Sequence, residues 1–128
     1  MVACMSFIDN KLERFATSKT VIGGFSKLLH HAIEDNDFSK VSTFADLCWS
    51  DEVDNVYVKN GFEWIENTKP NYSWVVDRVR ENRIKYQKHK LKHLPSYDES
   101  KTERQIMSDA GYYRVFDAGH AKLVLTVK

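Results

Sequence analysis

The sequence predicts an α+β fold in which helices flank a mixed, mostly antiparallel sheet. Two observations lead to this prediction. Short apolar or alternating segments typical of strands recur from end to end of the 128-residue chain. In the first half they follow the order strand, glycine loop, helix, strand, helix, strand, which is typical of a sheet covered by helices rather than of a helical bundle. The length corresponds to a single domain, residues 1–128.

The first elements are two strands and a helix. Residues 3–7 and 12–17 predict strands on either side of a polar turn at Asp9 and Asn10. After Gly23-Gly24, apolar positions recur at the spacing of one buried helical face. They are Phe25, Leu28, Leu29, Ala32 and Ile33. This pattern is the clearest periodic signal in the chain.

Three shorter elements complete the first half. Residues 41–46 and 62–65 predict strands. Residues 51–59 predict a short helix that ends at Asn60-Gly61, because glycine readily adopts the backbone conformation that terminates helices.

The second half is expected to contain a strand, helical segments and a closing hairpin. Residues 71–76 alternate like a strand with one buried face, and residues 83–94 are helical in part and end at Pro95. Ser100 and Glu103 have the spacing of a capping box, before a helix that Gly111 ends. The alternating residues of the tail, from Tyr113 to Val127, predict a C-terminal hairpin.

Composition favours a soluble intracellular protein without a membrane partner. No stretch approaches about 18 uninterrupted apolar residues, and the N-terminus lacks a charged-then-apolar signal pattern. Cys4 and Cys48 each lie in an apolar run, which fits a reducing compartment. Cys48 is expected in the core, and the three tryptophans in the core or on a sheet face.

The formal charge of +1 conceals two oppositely charged segments. Residues 34–54 contain seven acids against the single base Lys40, and residues 77–92 contain seven bases against two acids. Such a base-rich segment attracts polyanions, and an aromatic residue inside it offers base stacking. The candidate nucleic-acid-binding residues are Arg78, Arg80, Arg83, Lys85, Tyr86, Lys88, Lys90 and Lys92. The alternative is a solvated face that pairs with the acidic segment.

The glycine loop before the first helix is a candidate anion site. Free N–H groups and the helix dipole favour phosphate at a helix N-terminus, and glycine lets a phosphate approach the backbone. The candidate cofactor-binding residues are Gly23, Gly24, Phe25, Ser26 and Lys27. The alternative is a tight turn without a ligand. No metal site is expected, because His89 and His93 lack accompanying ligands at a metal-binding spacing.

The loop and a later tyrosine resemble the cofactor half of the GNAT acetyltransferase superfamily. Gly24 and Ser26 match the last positions of that family's glycine loop, and Tyr57, within Tyr-x-x-x-Gly-Phe, matches its tyrosine; Val21 replaces the usual Gln or Arg. The resemblance implies a truncated GNAT-like fold with a cofactor-binding core in residues 1–70. It also implies a loop that holds coenzyme A or acetyl-CoA and a tyrosine that serves as general acid.

A longer series of motifs resembles the C-terminal region of phage-encoded homing endonucleases. The motifs occur in the same order and span nearly the whole chain. They include Leu12-Glu-Arg-Phe-Ala16, Val21-Ile-Gly-Gly-Phe-Ser-Lys-Leu28, Phe44-Ala-Asp-Leu-Cys-Trp-Ser50, Lys69-Pro-Asn-Tyr72, Arg83-Ile-Lys-Tyr-Gln-Lys-His-Lys-Leu91, Thr102-Glu-Arg-Gln-Ile-Met107 and Gly111-Tyr-Tyr-Arg-Val-Phe-Asp-Ala-Gly-His120. In that family the cutting centre lies upstream of this region.

The resemblance implies a stand-alone phage domain that acts in the bacterial cytoplasm and binds nucleic acid, in particular DNA, without cutting it. In this interpretation residues 71–128 supply the basic segment and a C-terminal helix and hairpin. Two alternatives remain open: an acetyl-CoA-dependent N-acyltransferase, and an interaction protein that binds a host protein. A potential open sheet edge also favours a homodimer.

Overall fold

The computed structural model describes residues 1–127 and shows a mixed α+β protein with two sheets. The chain forms two compact units. The first comprises residues 1–69 and the chain from Gly119 onward, and the second comprises Pro70–Ala118. Among the described residues, no helix combines the length and apolar character needed to cross a membrane.

The first unit is a five-stranded sheet with two helices. Its strands are β1 (Ala3–Ile8), β2 (Lys11–Thr17), β3 (Lys40–Asp46), β4 (Glu63–Asn67) and β8 (His120–Thr126), and its helices are α1 (Gly24–Asn36) and α2 (Val56–Lys59). The strands lie in the order β1, β2, β3, β8, β4, which leaves β1 and β4 as the edges. All five residues of β4 are exposed.

One pairing in this sheet is parallel and the others are antiparallel. The parallel strands β2 and β3 pair only at Lys11 with Ser42 and at Leu12 with Thr43, at the start of β2 and in the middle of β3. Beyond these two pairs, β2 and β3 no longer hydrogen-bond as partners. The mixed, mostly antiparallel sheet expected from the sequence is therefore present, and its parallel strands separate toward their carboxyl ends.

The core of the first unit explains why α1 packs on this sheet. Phe25 and Leu29 are buried on the helix and contact a cluster that includes Leu12, Val41 and Leu123. Each fully buried aliphatic or aromatic side chain contributes about 1.5–3 kcal/mol. The amphipathic spacing that predicts this helix thus corresponds to its observed buried face.

The second unit is a three-stranded antiparallel sheet with one α-helix. It contains β5 (Tyr72–Val76), β6 (Val79–Asn82), α3 (Glu103–Asp109) and β7 (Tyr113–Phe116), in the sheet order β6, β5, β7. Two short 3-10 helices follow β6. A separate core holds this unit together, and its fully buried members are Trp74, Leu91, Ile106 and Met107.

The predicted C-terminal hairpin is wrong. β7 pairs with β5 in the second unit, whereas β8 pairs with β3 and β4 in the first. Both tail segments alternate as strands should, but alternation specifies a strand and not its partner. The buried Ala121 and Leu123 of β8 fill the centre of the larger sheet, which fixes its place there.

Other local differences have identifiable causes. Residues 83–94 are helical only as two 3-10 turns, Arg83–Tyr86 and Lys88–Lys90. The capping box of α3 is formed by Thr102 and Gln105, because Ser100 donates its hydroxyl hydrogen bond to Asp98 instead. The predicted end of this helix at Gly111 is confirmed within two residues.

Two residues expected in the core are at the surface. Cys48 is exposed, and Trp49 is 88% exposed, because both lie in the turn after β3 rather than on the strand itself. Trp64 lies half-exposed on the edge strand β4, and Trp74 is buried as expected.

Candidate nucleic-acid interface and glycine-loop pocket

A tight hairpin presents the first two candidate arginines. Asp77 and Arg78 connect β5 to β6 with positive φ angles of 49° and 68°. Two consecutive residues in this conformation match the right-handed twist of the flanking strands. Arg80 lies opposite Val75 on the sheet face away from Trp74, and both arginines are exposed. The hairpin therefore holds two guanidinium groups in solvent.

Two further arginines flank one aromatic ring. The guanidinium carbon of Arg83 lies 5.3 Å from the Tyr72 ring centroid, and that of Arg114 lies 5.0 Å from the same centroid. Arg114 also lies 6.0 Å from the Trp74 ring and 5.1 Å from the Phe116 ring. Such cation-π contacts orient a guanidinium without neutralising its charge.

Most bases of the second unit have no acid partner. This unit contains ten Lys and Arg residues against seven Asp and Glu, a formal charge of +3. Within the described part of the chain, only Lys85 with Glu81 and Lys101 with Asp109 form ion pairs here. In each pair the carboxylate raises the pKa of the lysine through a hydrogen bond and charge attraction.

Several of the acids instead accept hydrogen bonds from uncharged donors. Glu103 accepts from the Tyr72 hydroxyl at 3.0 Å and from the Trp74 indole at 3.2 Å. Asp98 accepts from the hydroxyl and the backbone N–H of Ser100, and these bonds lower the pKa of its carboxyl. The acids are thus used to build the unit, while most of its cations stay available to an external anion.

The remaining candidate residues differ in their availability. Lys88 donates to the carbonyl of Glu99 and Lys90 to that of Ile84, so both ammonium groups are anchored to backbone oxygens. Lys92 is exposed. Tyr86 packs against the second core, where burial raises its pKa, so little of its ring is free for base stacking.

Arg104 and Arg114 are cationic residues outside the base-rich segment on which the sequence prediction rests. Arg104 lies on α3 and Arg114 on β7, and both line one cleft with Ser108, Tyr113 and three other side chains. They are ten positions apart in sequence, and only the packing of α3 beside β7 brings them to the same cleft. The i, i+2 spacing of Arg114 and Phe116 on a short strand, which places both on one sheet face, is the one local sequence pattern that indicates this cluster.

The glycine loop lies at the carboxyl end of β2, where β2 and β3 have separated. Gly23 has φ +71° and precedes α1 without a side-chain cap, and the Ser26 hydroxyl donates to its carbonyl. Beside the loop lies an open pocket of about 440 Å³. Its lining includes Phe15 and Thr17 from β2, the loop glycines with Phe25 and Ser26, and Val56 and Asn60 from the region of α2.

Phe25 and Tyr57 pack together near this pocket. The Phe25 ring is only 6% exposed and contacts the Phe15 ring at 5.0 Å and the Tyr57 ring at 5.7 Å between centroids. Tyr57 also contacts Phe62 at 5.8 Å. The Phe25 side chain therefore belongs to the core, and the pocket beside the loop remains open. Lys27 is exposed on the first turn of α1.

The described residues contain no group of three or more His, Cys, Asp or Glu placed to hold a metal ion.

Comparisons with family models, curated proteins and solved structures gave no match.

Proposed function

We propose that this protein binds nucleic acid, in particular DNA, through the second unit, Pro70–Ala118. One observation carries the proposal. Eight of the ten cations of this unit lack an acid partner among the described residues, whereas Glu103 and Asp98 accept hydrogen bonds from uncharged donors. Unpaired Arg and Lys side chains release counterions when they approach phosphates, which is the main source of affinity for nucleic acid.

The arrangement of arginines and aromatic rings supports this function. Arg78 and Arg80 extend from the β5–β6 hairpin, and Arg83 and Arg114 flank the Tyr72 ring. Arginine binds phosphate through a planar fork of N–H donors, and it forms most of the unpaired charge here. Tyr113, which is 62% exposed on β7, offers a ring on which a base can stack.

Fluorescence anisotropy with labelled DNA tests the proposal. The probes are a 12-nucleotide single strand and a duplex of the same sequence, and RNA strands of equal length test the preference for DNA. We expect binding at low salt that weakens as salt rises. Replacing Arg83, Lys85 and Lys88 by Glu should abolish it, because each change reverses a charge on one short segment. Undetectable binding, or indifference to these changes, would remove the proposal.

A second candidate function is coenzyme A binding by the first unit, with a GNAT-like arrangement of its sheet. The observation that favours it is the pocket between the glycine loop and α2, at the end where β2 and β3 separate. Backbone N–H groups at the start of α1 would bind the pyrophosphate. Tyr57 would then be the general acid of acyl transfer, a role that requires its hydroxyl near the leaving thiolate.

Calorimetry with coenzyme A tests this second function. Gly24→Asp should abolish binding, because it places a carboxylate beside the phosphates and its Cβ would lie 3.2 Å from the Val21 side chain. Asn36→Asp makes the same charge change at the other end of α1 and should leave binding intact. Absence of heat with the unaltered protein would exclude coenzyme A as a ligand.

A further inference from the structure

The second unit contains a small cleft between α3 and β7, which includes Arg114 of the proposed interface. Its volume is about 250 Å³, and its lining combines two guanidinium groups and a hydroxyl with aromatic rings. The cationic and polar members are Arg104, Ser108 and Arg114, and Phe116 contributes an exposed aromatic ring. We propose that this cleft binds one unpaired nucleotide, its phosphate on the two arginines and its base against the Phe116 ring.

The charge of the cleft favours an anion. No described carboxylate lies within 4.0 Å of the basic group of Arg104 or Arg114. The acid next to Arg104 in sequence, Glu103, accepts hydrogen bonds from the side chains of Tyr72 and Trp74. Two guanidinium groups without a carboxylate form a site for a phosphate, which accepts several charge-assisted hydrogen bonds at once.

The position of Arg114 favours a bound ligand over bulk solvent. Three rings, those of Tyr72, Trp74 and Phe116, lie within 6.0 Å of its guanidinium carbon, and the side chain is half-buried. The guanidinium N–H groups of Arg114 have no hydrogen-bond acceptor among the described residues. A partly desolvated guanidinium that is held in place by rings binds an anion at a lower ordering cost than a mobile surface lysine does.

The helix places the other polar groups on the same side. Arg104 and Ser108 are four residues apart on α3, so both face the cleft. The hydroxyl of Ser108 can donate to a second phosphate oxygen. Pockets that enclose drug-sized ligands have roughly 300–1,000 Å³, so this smaller, open cleft has room for one nucleotide at its surface and not for a longer segment of strand.

An exposed ring at the cleft supplies the base contact. Phe116 is 55% exposed and lies on the same sheet face as Arg114, because the two residues stand opposite Tyr72 and Trp74. A base stacked on an aromatic side chain contributes about 1–3 kcal/mol. Stacking requires that the base be unpaired, so the cleft distinguishes a single strand from a duplex.

This inference rests on the proposed function, because the nucleotide is taken to belong to a bound strand; a free mononucleotide presents the same chemistry and is tested separately. The test measures anisotropy of labelled 12-nucleotide oligo-dT and of a labelled hairpin duplex. Arg104→Gln and Phe116→Ser should each weaken oligo-dT binding by about tenfold. Lys92→Gln, which removes an exposed cation outside the cleft, is the matched control. It should weaken the binding of both probes equally, and by less than tenfold.

Two further measurements complete the test. Arg104→Lys keeps the charge but not the planar fork of N–H donors, so an affinity between those of the unaltered protein and Arg104→Gln supports phosphate binding in the cleft. An unchanged thermal unfolding transition of each variant excludes a folding defect. Thymidine 5′-monophosphate is then added as a competitor beside thymidine and inorganic phosphate. Stronger competition by the monophosphate than by either part supports the cleft and shows that it takes a free nucleotide as well.

The outcomes separate the two proposals. If the unaltered protein binds neither probe, the proposed function fails and this inference fails with it. If both probes bind, and Arg104→Gln and Phe116→Ser act like Lys92→Gln on each, the interface stands and the nucleotide cleft is overturned. Loss confined to oligo-dT supports the cleft and identifies an unpaired nucleotide of the strand as its ligand.

Discussion

Removing two unpaired arginines should change how salt weakens the binding of single-stranded DNA. Five arginines of the second unit lack an acid partner among the described residues: Arg78, Arg80, Arg83, Arg104 and Arg114. For a single strand, each phosphate contact contributes about −0.7 to the slope of log K against log salt. If all five contact phosphates, the slope is about −3.5, and affinity falls about 100-fold between 50 and 200 mM salt.

The double variant Arg80→Gln with Arg83→Gln tests this number. Two fewer contacts should reduce the slope to about −2.1, so that the same salt change weakens binding only about 20-fold. Glutamine keeps a polar side chain of similar length, and neither arginine is buried, so the fold should be retained. The assay is fluorescence anisotropy with a 12-nucleotide strand at several salt concentrations.

A matched variant in the first unit provides the control. Arg14 and Lys19 are also exposed and lack an acid partner among the described residues. Arg14→Gln with Lys19→Gln removes the same charge and should leave the slope at its original value. Equal slopes for the two double variants would contradict phosphate binding by the arginines of the second unit, because the net charge of the protein would then determine affinity.

Three further predictions concern stability. Gly119→Ala should destabilise the protein by about 3 kcal/mol in urea titrations, because φ is +82° and the new Cβ would overlap the backbone carbonyl oxygen of Thr68. Gly111→Ala, at φ +86° with open space around the new Cβ, should lower the free energy of unfolding by only about 1–2 kcal/mol. An equal loss of stability for the two variants would contradict the predicted overlap at Gly119. Thr102→Ala should lower the free energy of unfolding by about 1 kcal/mol, because it removes the N-cap side chain of α3. Ser100→Ala should leave that cap intact, and a larger loss for Ser100→Ala would show that Ser100 is the capping residue. The pKa of Asp98 is lowered below 3.8 by its hydrogen bonds, so its contribution to stability is present above that pH and lost as pH falls through the folded pKa. Asp98→Asn should therefore flatten the acid limb of a stability-against-pH curve, and an unchanged limb would contradict this role.

Local pattern was sufficient to predict the elements of the first unit. The apolar spacing of α1 is observed as its buried face, with Phe25 and Leu29 in the core. Strands such as β3 alternate between buried and exposed residues, with Val41, Thr43 and Ala45 on the inner side. These features depend on residues close in sequence, so the sequence alone contains them.

Strand partners and the cleft could not be predicted in the same way. β7 and β8 are neighbours in sequence but join different sheets, because β8 carries the buried side chains that the larger sheet needs. Arg104 and Arg114 meet only after α3 packs beside β7. The strand β6 was missed because Val79–Asn82 has only one apolar residue and is held by hydrogen bonds to β5.

A titration of the isotope-labelled protein with a 12-nucleotide DNA strand, followed by the backbone amide resonances, locates the bound strand on the protein. The perturbed amides should lie in the second unit, at residues 78–92 and along α3 and β7. Perturbations confined to the glycine loop and α2, or no perturbation at low salt, would contradict this prediction.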